Sequence, residues 1–356
     1  MSMSNVNSLI AELKVTKVPS IELLQKILAL PEKELPELFQ FSNNIRQEFI
    51  GDGILLRGIV EFSSYCDNPC AYCGLNSNNK SLSRYRMTRD EVLLHVRVMY
   101  EQGIRTVVLQ AGEEKEMSAT WLAGVITAIK DLGDIAITLS VGERPRADYK
   151  LWKDVGADRY LLKIETSNKA LYEKLHRGMS YENRLRCLDD LFELSYQTGS
   201  GIIIGLPGQT LEILAGDLLF FQKRDFDMLG IGPFIPHGST ELAEASKGDH
   251  LLTLKMIALT RILCPRVHLP ATTALGSLEK DYRIEALKAG ANVLMPNFSP
   301  PEYRSRYEIY PGKRCITEPV GACVSCFQTI AKNMGRYIDL ARGDAVYKKN
   351  RYALKD

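Results

Sequence analysis

Between residues 54 and 297 short apolar runs alternate with helix-forming runs, and this alternation constrains the fold more than any other feature of the chain. The strand-like runs fall at 55–62, 106–110, 136–140, 159–165, 201–205, 228–234, 268–272 and 292–295. Helical patterns follow at 88–102, 118–131, 146–155, 168–175, 181–196, 210–223, 251–263 and 278–289. Strands that return through helices must run parallel, and strands apolar on both faces are those of a sheet covered on both sides. Eight strands over about 240 residues have the length and order of a (β/α)8 barrel. The predicted class is therefore α/β, a closed (β/α)8 TIM-type barrel. A doubly wound open sheet shares the alternation, and the period of the apolar residues does not separate the two. The count of eight, with a helix after nearly every strand, favours the barrel.

Two further segments flank this domain. Residues 1–53 read as an N-terminal helical cap: Ser20 caps an apolar-periodic helix, and Pro31 and Pro36 divide the rest. Residues 298–356 form a C-terminal extension that carries three cysteines. A helix is expected there from about Phe327 to Leu340, and the basic end 347–351 reads as a solvated terminus.

The chemistry is concentrated just after the first predicted strand. Cys66, Cys70 and Cys73 are spaced C-x3-C-x2-C. A 4Fe-4S cluster normally takes four thiolates, so three leave one iron open. S-adenosylmethionine fits that vacancy, because its amine and carboxylate can chelate iron beside its sulfonium group. Half of a zinc site is the plainer alternative, although zinc knuckles are usually paired C-x2-C units. Eight cysteines, three of them crowded, suit metal ligation in a reducing compartment better than disulfides. A net charge of +2 gives no general attraction to nucleic acid or acidic lipid. The chain has no apolar run long enough to span a bilayer, and its N-terminus has no signal-peptide pattern. A cytoplasmic protein without nucleic-acid or membrane partners is expected.

Active sites of such barrels form at the C-terminal ends of the strands. The cysteine loop lies there, and so do several polar residues. Ala111, Gly112 and Glu113 follow the second strand, where backbone groups can meet an ammonium; an ordinary strand-to-helix turn is the alternative. Glu165 ends the fourth strand, and Arg184 lies on a following helix. A carboxylate and a guanidinium would suit a zwitterionic cofactor, while Arg184 reads equally well as a surface arginine. Thr138, Lys163, Thr272, Thr273, Met295 and Tyr307 are candidates to line the cavity. Lys163 either holds an anion or pairs with a neighbouring glutamate. His237 follows the sixth strand, within reach of the same face; His95, His176 and His250 read as solvated, and Cys187 and Cys264 as packed in helices. Cys315, Cys323 and Cys326, spaced C-x7-C-x2-C, read as a second metal site, iron–sulfur or zinc.

C-x3-C-x2-C with Tyr72 before the last cysteine resembles the radical S-adenosylmethionine signature. Further stretches extend the likeness to the HydE family of FeFe-hydrogenase maturases: 61–66, 84–88, 156–162, Glu182-Asn183-Arg184, 205–210, 230–237, 270–273, 295–297 and 310–313, with the tail cysteines. The resemblance implies a barrel with a 4Fe-4S cluster and S-adenosylmethionine at its top. It implies a 5′-deoxyadenosyl radical acting in assembly of the di-iron subcluster, on a small iron–carbonyl–cyanide–cysteine complex supplied by another maturase. It also implies cofactor contacts from Tyr72, Ala111, Gly112, Glu113, Glu165, Arg184, Met295 and Tyr307, a cavity lined by Thr138, Lys163, Thr272 and Thr273, and an accessory cluster (2Fe-2S or 4Fe-4S) on the tail cysteines. Transient contact with other maturases and an electron donor is expected. One departure stands out: Lys163-Ile164-Glu165 occupies the place where the family pattern has Arg-His-Glu. Lysine keeps the charge but loses the bidentate fork, which leaves open an organic, amino-acid-type substrate like that of methylornithine synthase. A carrier of iron–sulfur precursors without catalysis is a third reading.

Overall fold

The computed structural model describes residues 5–346, so the basic end 347–351 lies outside the described residues. Nine strands run in chain order: β1 (Gly53–Leu56), β2 (Gly58–Ser63), β3 (Thr106–Ala111), β4 (Ala136–Ser140), β5 (Arg159–Leu161), β6 (Gln197–Ile204), β7 (Met228–Pro233), β8 (Val293–Leu294) and β9 (Tyr337–Asp339). Strands β2 to β7 form one parallel sheet in sequence order, and β8, β1 and β9 form a second. The alternation of strand and helix thus produces an α/β fold with a parallel sheet.

Only Arg57 separates β1 from β2, and the two continue one another. Along this line Leu55, Arg57 and Ile59 donate in turn to the carbonyls of Asn292, Leu294 and Pro296. On the far side of the sheet, Leu229 donates to His268, and Asn292 donates to Leu269. The segment around Pro270 therefore stands between β7 and β8, but it makes isolated bridges rather than a strand. The expected strand at 268–272 is corrected accordingly; proline lacks the N–H a ladder needs.

Two other expectations change. The helix expected at 278–289 is a short helix, Thr273–Gly276, then a second, Arg283–Lys288. The tail helix spans Cys323–Asn333 and stops well before Leu340. Gly335, at φ +67°, turns the chain into β9, which pairs with β1. A positive φ of this kind suits glycine, which has no Cβ to clash.

The outer layer is helical. A capping box between Thr88 and Glu91 starts the helix Arg89–Glu101. Of the N-terminal helices, Leu35–Ile50 lies against His250–Leu263, and Ile21–Leu28 against Leu211–Arg224. The buried Lys255 ammonium fixes them by donating to the carbonyls of Leu28 and Leu30 at 2.8 and 2.6 Å.

At the N-terminal ends of the strands the tail closes the sheet. Arg159 donates to the Arg342 carbonyl and the Asp344 carboxylate at 2.6 and 2.7 Å, and Arg57 donates to the Gly343 carbonyl. With that end filled, ligand access is left to the C-terminal ends. There the residues of β5 and its continuation alternate: Leu161, Lys163 and Glu165 stay partly open, while Leu162, Ile164 and Thr166 are buried. That two-residue period gives the strand one face toward the interior opening and one toward the helices.

Candidate active site

The cysteine loop leaves β2 and is held by backbone bonds from four separate parts of the fold. Ala71 donates to the Leu175 carbonyl at 2.9 Å, and Gly74 donates to Ile309 at 3.0 Å. Leu242 donates to Ala71, and Asp67 donates to Glu113 at 2.8 Å. Arg84 adds donors to the carbonyls of Ser64, Leu75 and Asn76. Loop backbone must find partners somewhere, and here the partners lock the loop over the strand ends. Close approach is part of the design: a Cβ on Gly112 would lie 2.2 Å from the Tyr65 carbonyl oxygen and 2.8 Å from the Cys66 Cβ.

All three thiols are shifted upward. Burial raises Cys66, raises Cys70 well above the usual range, and pushes Cys73 up to about 12. The charges of the other two cysteines raise Cys70 further, so the three share one electrostatic neighbourhood. Among the described residues no three His, Cys, Asp or Glu side chains are gathered closely enough to chelate a single ion. Three buried thiols, two of whose charges act on the third, are the donor chemistry of a thiolate-bound cluster.

Beside the loop lies a charged set. Arg184 is buried, donates to Glu143 Oε1 at 2.6 Å and to the Lys163 carbonyl at 2.7 Å, and stands 3.9 Å from Glu113 Oε2. Burial opposes its charge, but Tyr172, Glu143 and Glu113 raise its pKa above the ordinary value. The surface-arginine reading of Arg184 is therefore corrected: the helix Tyr181–Glu193 turns it inward. Glu113 is raised by burial, against the pull of Arg184. Glu143, which sequence reasoning passed over, anchors the guanidinium and also accepts from Asn183.

Glu165 has a left-handed backbone, φ +62°, which a non-glycine residue rarely adopts. Its carbonyl accepts from Ile203 and its N–H donates to Gly201, so the sheet enforces the conformation. Lys163 Nζ lies 2.8 Å from Glu165 Oε2. Of the two readings of Lys163, the structure shows pairing with glutamate. Ile164 faces the packed core and is fully buried, so the family departure at that position bears on packing.

The remaining expected residues spread around the same opening. Thr138 on β4 is buried, and its hydroxyl has no partner. Thr272 Oγ1 lies 3.0 Å from where a Gly232 side chain would start, so glycine keeps this wall clear; Thr273 begins the short helix beyond. Met295 is half-buried after β8. Tyr307 is buried, with Glu61, Cys73 and Cys66 all raising its hydroxyl pKa beyond what burial does. His237 is buried against the loop: a Cβ on Gly74 would lie 2.6 Å from its ring.

His176 is a correction. It is buried, not solvated, and its Nε2 lies 2.8 Å from the Tyr72 hydroxyl. His250 stacks on Tyr282, and His95 is half-buried, its pKa lowered by burial. In the tail, a hydrogen bond from Cys323 draws the Cys315 thiol down to about 7, whereas Cys326 is exposed.

A family model for the radical SAM superfamily matches residues 60–220. Over 316 residues the chain is 48% identical to the FeFe hydrogenase maturase subunit HydE of Thermotoga maritima, a match spanning 88% of this chain and 90% of that protein. The 3-methylornithine synthase of Methanosarcina acetivorans is 28% identical, over 80% of this chain and 82% of its own. The crystal structure of methylornithine synthase (PylB) aligns with a TM-score of 0.80 at 23% identity, covering 93% of this chain and 97% of that one, a likeness of fold. No described helix is long and apolar enough to cross a membrane. Identity sustained along almost the whole of both chains carries further than likeness of fold: this chain belongs to the HydE family of radical S-adenosylmethionine enzymes.

Proposed function

We propose that the chain acts in assembly of the FeFe-hydrogenase di-iron subcluster, on a small iron–carbonyl–cyanide–cysteine complex. The carrying observation is the meeting of three desolvated thiols with the Arg184–Glu143–Glu113 charge set over a sheet closed at its other end. The bridges at His268 and Pro270 and the ladder from Leu55 to Ile59 support reading the sheet as a closed eight-stranded barrel.

Cys66, Cys70 and Cys73 would hold a 4Fe-4S cluster. Cluster and S-adenosylmethionine together supply a 5′-deoxyadenosyl radical when bound. Arg184, held by Glu143 through Nε, would present the rest of its guanidinium to the carboxylate of the methionyl part. The backbone from Ala111 to Glu113 receives the ammonium. Glu165, pinned in its left-handed turn, offers a carboxylate to the ribose hydroxyls, and Tyr72, Met295 and Tyr307 enclose the nucleoside. Thr138, Thr272 and Thr273 present hydroxyls to the substrate below. Lys163 tethers Glu165 by their ion pair.

The tail triad is read as an accessory iron–sulfur site, supported by the Cys315–Cys323 pair. The expected setting is cytoplasmic, with an electron donor and other maturases as transient partners. An organic substrate gains nothing from Ile164, which is turned from the cavity.

Reduced, reconstituted protein should cleave S-adenosylmethionine to 5′-deoxyadenosine, and Cys70→Ala should abolish it. Consumption of the iron complex during cleavage supports the maturase reading. Turnover of a methylornithine-type amino acid in its place would overturn it, and cluster binding without any cleavage would leave only a carrier.

A further inference from the structure

The helix Leu211–Arg224 buries Leu214, Ala215, Leu218 and Phe221, and in the middle of that apolar face it buries Asp217, which is 0% exposed. A buried carboxylate is costly unless its oxygens are satisfied. Asp217 Oδ1 accepts from the Ser167 N–H at 2.5 Å and the Ser167 hydroxyl at 2.6 Å, with the Thr166 hydroxyl at 3.5 Å, while Oδ2 is buried without a partner. All three donors lie in the turn directly after Glu165.

That turn supports both halves of the site. Thr166 Oγ1 accepts from the Asn168 N–H, and the Asn168 side chain caps the helix Lys169–Leu175. The last residue of that helix accepts from Ala71 in the cysteine loop, and His176 follows it against Tyr72. The Tyr181 hydroxyl donates to the Ser167 carbonyl and closes the turn from the other side. Glu165, at the head of the turn, has a backbone conformation that persists only where its surroundings over-determine it. Asp217 is the side chain that fixes the two residues following it.

We propose that Asp217 is a positioning residue for cofactor binding: its carboxylate locks Thr166 and Ser167, and through them holds the Glu165 carboxylate where it meets the nucleoside of S-adenosylmethionine. This rests on the reading that Glu165 contacts the cofactor. The role differs from simple core stability because it acts through one neighbouring side chain. Removing Asp217 frees the turn, and the loss falls on cofactor affinity, while the cysteine loop keeps its three backbone anchors other than Leu175, at Ile309, Leu242 and Glu113.

The test is a double-mutant cycle on the reconstituted, reduced full chain, reading KM for S-adenosylmethionine and kcat for 5′-deoxyadenosine release. Asp217→Ala and Glu165→Gln should each raise KM about tenfold, and the double variant no further than Glu165→Gln alone. Should the alanine variant not fold, Asp217→Asn, which keeps the shape, is expected to raise KM in the same direction. A wild-type KM in the Asp217 variant, beside a raised one in Glu165→Gln, overturns the proposal and leaves the Glu165 assignment standing. Effects that multiply in the double variant also overturn it, by assigning Asp217 a role independent of Glu165. A wild-type KM in Glu165→Gln alone removes the Glu165 assignment itself.

Discussion

The Tyr72 hydroxyl lies 2.8 Å from His176 Nε2, and the other ring nitrogen of His176 lies 2.9 Å from the Tyr172 carbonyl oxygen. A carbonyl only accepts, so Nδ1 carries the proton and Nε2 is left as the acceptor. The Tyr72 hydroxyl therefore donates, and its direction is fixed by the tautomer of His176, the residue next to the loop's backbone contact at Leu175. Burial, helped by Arg184, draws the His176 pKa down to about 3, so the ring stays neutral at working pH.

Replacing His176 with phenylalanine keeps the stacking on Tyr172 and removes the acceptor. A buried hydroxyl left without a partner costs about 1–3 kcal/mol. Cofactor affinity is expected to fall by roughly tenfold to a hundredfold, with little change in its pH dependence above pH 5. Titration of reconstituted protein with S-adenosylmethionine measures this; unchanged affinity would remove Tyr72 orientation from the account.

How the sequence announced these features differs from residue to residue. The cysteine spacing is local and was readable at once, as was the strand–helix rhythm that puts it at the strand ends. Arg184 was ambiguous because helical position alone does not say which face is inward. His176 resembled a solvated residue because its partner lies in a loop far back in the chain. Asp217 carried a signal that passed unused: a charge in the centre of an apolar helical face. The strand β9 had none, since Tyr337–Asp339 shows no alternation and exists only by pairing with β1. Non-local pairing of that sort is where pattern reading fails.

Gly112 tests whether the cysteine loop needs its close approach to the β3 turn. In Gly112→Ala the new methyl meets backbone, which cannot swing aside. Overpacking of this kind costs about 1–3 kcal/mol, and here the strain falls on Cys66. Iron content after reconstitution should drop together with cleavage rate. Gly124→Ala is the control: its added Cβ meets nothing within 4 Å on the helix Ala119–Leu132. There the gain in helix propensity should stabilise by up to about 1 kcal/mol.

The tail is tied to β2 by a buried ion pair. Lys313 Nζ lies 2.6 Å from Glu61 Oε1, and Asn297 donates to the other carboxylate oxygen at 2.9 Å. Breaking one side of a buried pair is far costlier than replacing both. Lys313→Met should lower unfolding free energy by about 3–5 kcal/mol in urea titration. Adding Glu61→Leu should restore much of that loss. If the single variant were as stable as wild type, the pair would contribute nothing to tail docking.

Asp217 also predicts a pH dependence of stability with a definite sign. Burial pushes its carboxyl up to about 7 from an ordinary value of 3.8, against the donors from Ser167 and Thr166. Between those values the folded chain holds a proton that the unfolded chain has released. The contribution is therefore fully present below 3.8 and is lost as pH rises through about 7. His176 has the opposite slope: with its folded pKa at about 3 rather than 6.5, stability is gained on raising pH across that interval. The two partly cancel in wild type between about pH 4 and 6, so the total curve hides both. Asp217→Asn cannot ionise and removes one of them. Its stability relative to wild type should rise from pH 4 to about pH 7 and level off above that, measured by urea unfolding at each pH. A difference that is flat across this range would mean that Asp217 is already ionised at pH 4 and that its three donors outweigh its burial.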